Sequence, residues 1–364
     1  MKNCRHILCL IFLVGLSINF PTVGVTQTDV EHVTTEIKLI KANDEKLGHR
    51  LDELAKAIDD VLWYQRVGSV AVIDKVFLTG PPLRKEKNPT GLGAGNPVKM
   101  WAYIFIPKDI DVSKKYPLMV FPHGGVHADF STYYTHIVKE LMAQQYIVVA
   151  AEYRGSTGYG KSFYEKIDYG GLEIEDVKAS RDFMLENYDF VDNSRVGIMG
   201  WSHGGLITLM SIFNHPDDYK VAFAGVPVSD LVARMGYYDD EYRGLYSADY
   251  HIGKTAMEDV NEYRRRSPAW NADKLQTPLL IHTNTIDEDV NVLEVEHLIQ
   301  ALKTENKKFE YEIYQALPGG HSFDRMDTKK AREIRLKIYK FLANYLKPPR
   351  PFTSAKDINK AIYQ

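Results

Sequence analysis

Residues 195–214 read RVGIMGWSHGGLITLMSIFN, in which two different apolar patterns meet at a glycine-rich turn. RVGIM is typical of a buried strand, and LITLMSIF is typical of a helix. Between them, the run Gly200-Trp201-Ser202-His203-Gly204 sets a serine among glycines. A strand, a sharp turn and a helix in this order predict a strained turn that projects the Ser202 hydroxyl outward. The alternative is a glycine-lined helix start with an inert serine.

Strand and helix patterns alternate along the chain around this turn. Strands are predicted at 69–80, 98–107, 118–121, 147–151, 195–199, 222–226, 279–282 and 309–314, and helices at 132–144, 176–187, 204–214, 291–304 and 330–345. This alternation predicts an α/β-hydrolase fold, a doubly wound and mostly parallel sheet with helices on both faces. Chemistry is then expected at the carboxyl ends of the strands.

The chain divides, by composition, into four expected segments. These are a signal peptide at 1–26, an N-terminal extension with an amphipathic helix and a strand at 27–96, a catalytic domain at 97–348 and a C-terminal tail at 349–364. The extension repeats apolar residues at helical spacing: Leu47, Leu51, Leu54, Ala55, Ile58 and Val61. We expect this face to be buried against the domain or against a partner, and homo-oligomerisation is one way to bury it.

The first residues have the organisation of a secretory signal. Lys2 and Arg5 precede an apolar stretch at 7–20, and small residues such as Gly24 or Thr26 follow it. We therefore expect export to a periplasm or the medium, with no membrane span after the signal is cleaved. The net charge is −3, which does not favour binding to nucleic acid.

An activated serine needs a histidine that is oriented by a carboxylate. In this fold the acid and the histidine follow the serine in that order, on loops after strands. The loop TNTIDEDVN offers Asp287, Glu288 and Asp289, and the loop ALPGGHSF offers His321. His203 adjoins the serine and cannot easily reach its hydroxyl, so we expect His321 to be the base.

The negative oxygen that forms during acyl transfer needs two N–H donors. One is expected from the backbone of His203, directly after the serine, and the other from the loop LMVFPHGGVH, where Gly125 is the preferred donor. The sequence indicates no set of metal ligands and no cofactor site.

Seven segments together extend this interpretation: FPHGG, EYRGSTGYGKSF, GGLEIEDV, GWSHGG, RRRSPAWNADKLQTPLLIH, DEDV and GGHSF. They follow one another as in the prolyl oligopeptidase family, and residues 98–346 resemble the catalytic domains of its acylaminoacyl-peptidase and dipeptidyl-peptidase branches. The resemblance implies Ser202 as nucleophile, Asp287 as acid and His321 as base. It also implies a substrate pocket near GVPVSDLVARMGYYDDEY, with three candidate residues: Tyr237, Tyr238 and Val290.

Members of that family usually carry a β-propeller, and we expect none here because fewer than about 100 residues precede the catalytic domain. Dipeptidyl-peptidase specificity is therefore not carried over. The expected function is that of a secreted serine peptidase that cleaves aminoacyl or acylaminoacyl peptide bonds. The alternatives are a carboxylesterase or carbohydrate acyl esterase with the same triad, acting on a small acyl substrate, and a binding module without catalysis.

Overall fold

The computed structural model describes residues 27–362. The expected signal peptide therefore lies outside the described residues. Within these residues the chain divides into two units, with the boundary between Leu47 and Gly48. None of the helices within residues 27–362 combines the length and the hydrophobicity of a membrane-spanning segment.

Eight strands form one sheet. They are β1 (Ala71–Pro82), β2 (Pro97–Pro107), β3 (Tyr116–Val120), β4 (Ile147–Glu152), β5 (Val191–Trp201), β6 (Val221–Gly225), β7 (Leu279–Asn284) and β8 (Glu310–Tyr314). Their order across the sheet is β1-β2-β4-β3-β5-β6-β7-β8. The pairs β1/β2 and β2/β4 are antiparallel, and the strands from β4 to β8 are parallel to one another. This is the sheet of the α/β-hydrolase fold, as the sequence predicted.

Eleven α-helices lie within residues 27–362. They are α1 (Gln27–Val67), α2 (Thr135–Ala143), α3 (Lys161–Tyr164), α4 (Glu173–Asn187), α5 (His203–Asn214), α6 (Leu231–Tyr237), α7 (Asp240–Ser247), α8 (Val260–Arg265), α9 (Val292–Thr304), α10 (Lys329–Leu346) and α11 (Ala355–Ile362). Short 3₁₀ turns occur at Thr132–Tyr134, Pro268–Trp270, Ala272–Lys274 and Gly320–Ser322.

Helices cover both faces of the sheet, as predicted. Buried side chains of α4, α5 and α9 pack on one face. Side chains of α2, α10 and α11 pack on the other, together with Trp63 of α1. Strands β3, β4, β6 and β7 are buried along their whole length, and β3 and β6 are apolar throughout because both of their faces are covered. The carboxyl ends of β5, β7 and β8 consequently meet at one edge of the sheet.

The apolar face expected of the N-terminal helix does not pack on the catalytic domain. Leu51 and Ile58 are exposed, whereas Lys56 and Trp63 of the same helix are buried. The Lys56 ammonium contacts Glu152 at 2.6 Å and Asp129 at 2.9 Å. Burial alone would lower the pKa of Lys56, but these two carboxylates raise it above its usual value. The part of α1 around Lys56 and Trp63 is therefore held by a buried ion pair and an aromatic side chain, and not by the aliphatic face that the sequence predicted.

Candidate active site

Ser202 lies at the junction of β5 and α5, in a backbone conformation that side chains rarely adopt. Its φ is 59° and its ψ is −123°. Its N–H donates to the carbonyl of Gly225 at 3.0 Å, and its carbonyl accepts from Leu206 and Val228, each at 3.1 Å. A side chain at Gly204 would lie 2.3 Å from the carbonyl oxygen of Pro122. The turn is thus held in a strained form by its neighbours, as the glycine pattern predicted.

Asp287 and His321 meet on the loops after β7 and β8. His321 Nδ1 lies 2.8 and 2.9 Å from the two carboxylate oxygens of Asp287. The Asp287 side chain is fully buried, and its Oδ1 also accepts the N–H groups of Asp289 and Val290, at 2.9 and 2.8 Å. A carboxylate at Nδ1 favours the tautomer that leaves Nε2 able to accept a proton.

The two other acids of this loop have different partners. Glu288 accepts the backbone N–H of His321 at 3.0 Å. Asp289 binds Arg234 at 2.7 Å and the Tyr238 hydroxyl at 2.6 Å. Its second oxygen lies 3.8 Å from His321 Nε2. Of the three acids that the sequence offered, Asp287 is the one that holds Nδ1.

The charge of Asp289 is stabilised by its neighbours. Burial alone would raise the pKa of its carboxyl, but Arg234 and His321 lower it below its usual value. A carboxylate so held remains ionised near neutral pH, and it places negative charge close to His321 Nε2.

The loop that carries His321 is tied to the serine turn. Trp201, directly before Ser202, donates its indole N–H to Asp324 at 2.8 Å. Arg325 stacks its guanidinium over the Trp201 ring at 5.7 Å and donates to the carbonyl of His321. The end of β7 contributes Asn284, whose side-chain amide donates to the carbonyls of residues 317 and 320 at 2.8 and 3.1 Å.

The sequence analysis missed these supports. Asn284 and Asp324 carry no motif of their own, and only their positions, at a strand end and three residues after His321, could have indicated them.

The HGG loop, residues 122–128, lies against the serine turn. A side chain at Gly124 would contact Cβ of Ser202 at 3.4 Å. Gly125 has a φ of +87°, and a side chain there would lie 2.5 Å from Cβ of Ala128. Among residues 27–362, no hydrogen-bond acceptor is paired with the backbone N–H of Gly125 or of His203. The loop therefore brings a second free donor near the one predicted on α5.

The ring of His203 is buried and holds the HGG loop. Its Nδ1 lies 2.7 Å from the carbonyl oxygen of Gly125, and its Nε2 lies 3.2 Å from Glu173. Tyr169 stacks on the ring with a centroid distance of 3.7 Å. His203 is only 1 % exposed, so its ring does not form a wall of an open pocket. Both of its ring nitrogens have partners within the protein, Gly125 and Glu173.

His123 of the HGG loop is a structural residue. Its ring stacks on Tyr153 at 4.1 Å, and its Nε2 lies 3.0 Å from the Ser156 hydroxyl. Burial lowers the pKa of His123 to about 3, so its imidazole is neutral.

The three residues predicted for the substrate pocket differ in their exposure and contacts. Tyr237 and Tyr238 flank Arg234, a buried residue that the sequence analysis missed. The Tyr237 hydroxyl lies 2.9 Å from the Arg234 guanidinium, and the Tyr238 hydroxyl lies 2.6 Å from the Asp289 carboxylate. Val290 is fully buried. Its N–H donates to Asp287 and its side chain belongs to the core, and its place in the substrate pocket stays a prediction.

A cavity of about 1200 Å³ lies away from these residues, between the loop that joins β1 to β2 and residues 154–168 and 249–251. It contains none of Ser202, Asp287 and His321. Among the described residues, no group of three His, Cys, Asp or Glu side chains could hold a metal ion.

Solved structures share this fold. A puromycin-hydrolysing peptidase from Mycobacterium tuberculosis superposes with a TM-score of 0.62 at 24% identity, over 76% of this chain and 39% of the other. The acylaminoacyl peptidase of Pyrococcus horikoshii gives a TM-score of 0.62 at 18% identity, over 81% of this chain and 45% of the other.

The sequence assigns the family within that fold. The family model described as "Prolyl oligopeptidase family" matches residues 132–349, more than half of the chain. The chain therefore belongs to the prolyl oligopeptidase family, as its motifs indicated.

Curated relatives are considerably longer than this chain. Human dipeptidyl peptidase 8 is 31% identical over 225 residues, which cover 59% of this chain and 24% of that protein. Human acylamino-acid-releasing enzyme is 27% identical over 259 residues, which cover 70% of this chain and 33% of that protein. The matched region thus spans about a quarter to a third of the length of these relatives.

Proposed function

We propose that this protein is a serine peptidase that cleaves aminoacyl or acylaminoacyl peptide bonds through an acyl-enzyme. The observation that carries the proposal is the contact of Asp287 with His321 Nδ1 at 2.8 Å, on loops beside a strained turn that bears Ser202. Family membership supports the same reaction, and the peptidase names of the curated relatives support peptides as the substrate class.

In the first half of the reaction, His321 Nε2 takes the hydroxyl proton while Ser202 Oγ attacks the carbonyl carbon of the substrate. The carbonyl oxygen becomes negative, and the N–H groups of His203 and Gly125 stabilise it. Each such donor contributes roughly 3 kcal/mol to the stability of the transition state. Asp287 stabilises the imidazolium, which then donates its proton to the departing amine.

In the second half, water attacks the acyl-enzyme and gives its proton to His321. The bond from Ser202 Oγ to the acyl carbon breaks, and the serine oxygen recovers a proton from the imidazolium. The product is a carboxylic acid, and the triad returns to its starting state. No cofactor is required by this sequence of steps.

The surface beside the acid loop supplies the proposed recognition of the substrate. Tyr237 and Tyr238 place aromatic rings next to Asp289, and Tyr237 is 40 % exposed.

We also propose that the protein is exported, which rests on the charge and apolar pattern of residues 1–26. The mass of the N-terminal peptide of the protein, recovered from the medium or a periplasmic extract, tests export; a product that retains Met1 contradicts cleavage.

The test of the reaction is the Ser202→Ala variant, assayed on aminoacyl amides, acylaminoacyl amides and simple acyl esters. We expect its turnover of every substrate to fall at least about 10⁴-fold. Ser211→Ala is the matched control, because Ser211 is a buried serine on helix α5, which begins directly after Ser202. Unchanged hydrolysis by Ser202→Ala contradicts the mechanism. Turnover of esters without turnover of amides assigns the triad to ester substrates and contradicts the peptidase proposal.

A further inference from the structure

Helix α1 carries an apolar stripe that no other described residue covers. From residue 30 to residue 61, aliphatic side chains recur at alternating intervals of three and four residues, interrupted once by Asp44. The stripe consists of Val30, Val33, Ile37, Ile40, Leu47, Leu51, Leu54, Ile58 and Val61. Each of these residues is 48–69 % exposed.

The opposite side of the helix is already occupied within residues 48–67. His49, Lys56 and Trp63 are spaced seven residues apart, in the positions of the repeat that lie farthest from the stripe. The His49 ring contacts Tyr164 at 5.1 Å, and Lys56 and Trp63 are buried. The side that the domain uses and the side that the stripe occupies are therefore different.

The spacing of the stripe identifies the kind of partner. An average interval of 3.5 residues produces a narrow seam along which a second helix packs as a left-handed coiled coil. A helix that binds a domain surface or lies on a membrane needs a wider apolar face, with three to four apolar residues in every two turns. Two apolar positions in each heptad match the coiled-coil pattern.

The residues that flank the seam fit a second copy of the same helix. On each side of the seam, one position of every heptad lies next to the apolar residues. In a parallel pair of helices, a residue at such a position, directly before the first apolar residue of a heptad, faces the residue five positions later on the other helix. Glu36 and Lys41 are separated by this interval and have opposite charges. Four other flanking positions carry no charge: Asn43, Gly48, Ala55 and Ala57. Self-pairing therefore places no like charges along the edges of the seam.

The size of the stripe is sufficient for a stable dimer. Nine half-exposed aliphatic side chains offer on the order of 800 Å² per copy, and a standard interface buries about that area on each partner. Ile37 and Ile58 occupy the first apolar position of their heptads and Leu47 and Leu54 the second, as in two-stranded coiled coils, whereas Leu51 and Ile40 depart from that arrangement.

We propose that the stripe is a self-association surface, through which helix α1 of two copies forms a parallel two-stranded coiled coil. The seam would place Asp44 of each copy beside Asp44 of the other, which weakens the pair and fixes its register. The proposal concerns assembly and does not depend on the reaction proposed above.

Sedimentation equilibrium of the purified full chain tests this proposal. We expect a dimer, and we expect Ile40→Glu to raise the dimer dissociation constant about a hundredfold or more, because each copy then buries a charge in the seam. Leu39→Glu is the matched control, since Leu39 is exposed to the same degree on the same helix but lies outside the stripe. This control should remain a dimer.

Asp44→Leu tests the same seam by a gain of affinity, which misfolding cannot produce. We expect its dissociation constant to fall about tenfold or more, because the two facing carboxylates are removed. A native chain that stays monomeric over a 100-fold range of protein concentration overturns the proposal. A dimer that Ile40→Glu leaves unchanged, or that Leu39→Glu disrupts to the same extent, also overturns it. Binding of a monomeric chain to phosphatidylcholine–phosphatidylglycerol vesicles overturns it in favour of a membrane surface.

Discussion

The candidate active site and the apolar stripe of α1 differ in how far other residues of the chain satisfy them. At the carboxyl ends of β5, β7 and β8, polar side chains bind one another, whereas no residue among 27–362 covers the stripe. Asp287 has its oxygens occupied by His321 and two backbone N–H groups, while Leu51 of the stripe is 57 % exposed. The first region is complete without a partner, and the second is not. The difference separates chemistry, which the fold itself organises, from assembly, which requires another helix.

The largest expected effect is at the acid that orients the base. Asp287→Asn should lower kcat about 10⁴-fold, because an amide no longer stabilises the imidazolium and permits the wrong tautomer. Single-turnover kinetics on an acyl substrate measure this loss.

Glu288→Gln is the neighbouring control, since a side-chain oxygen still accepts the N–H of His321. Its kcat should fall by no more than about tenfold. Equal losses in the two variants would show that the loop as a whole, rather than the Nδ1 contact, is needed.

The next largest effect is on folding stability, which should depend on the buried side of helix α1 and not on its exposed side. Lys56→Met should cost about 3–5 kcal/mol of unfolding free energy, because it leaves the carboxylate of Glu152 buried without its cation. Urea denaturation followed by tryptophan fluorescence gives this value. Lys46→Met, at an exposed position of the same helix, should change the unfolding free energy by less than about 0.5 kcal/mol. A similar value for both variants would contradict the docking of α1 through Lys56.

The smallest effect is a shift in the pH profile. The lowered pKa of Asp289 keeps this carboxylate charged above about pH 4, and its second oxygen lies 3.8 Å from His321 Nε2. Asp289→Asn should therefore move the acidic limb of kcat/KM to lower pH by about half a unit to one unit, since two charges at such a separation interact by about 1 kcal/mol in water.

This shift should decrease at high salt, where the interaction is screened. Asp240→Asn serves as the control for a lost surface charge, because the Asp240 side chain is 98 % exposed. A profile that moves to higher pH in Asp289→Asn would mean that Arg234, and not Asp289, dominates the field at His321.

Local patterns were sufficient to predict the sheet and the loops that bear Ser202, Asp287 and His321. The central strands are apolar runs because they are buried on both faces, and the glycines around Ser202 mark a turn that neighbouring segments such as Pro122 approach closely. The choice of Asp287 over Asp289 came from the family resemblance. The bare spacing of the loop could not reveal that Arg234 binds Asp289.

Residues that act through distant partners could not be predicted in this way. The sequence around His203 does not indicate that its ring binds Gly125, which is 78 residues away. The helical pattern of α1 indicated an apolar face, but the buried side is set by Lys56 and Trp63, which look like ordinary polar and aromatic positions. Helices α6, α7, α8 and α11 were missed because six to eight residues are too few for a clear helical period.

The most direct test of the central claim is to locate the nucleophile by labelling the purified protein with a fluorophosphonate and mapping the adduct by peptide mass spectrometry. The proposed triad predicts one adduct per chain, on the peptide that contains Ser202, with labelling greatly slowed in His321→Ala. An unlabelled chain, or an adduct on another residue such as Ser156 or Ser322, would contradict the assignment of Ser202 as the nucleophile.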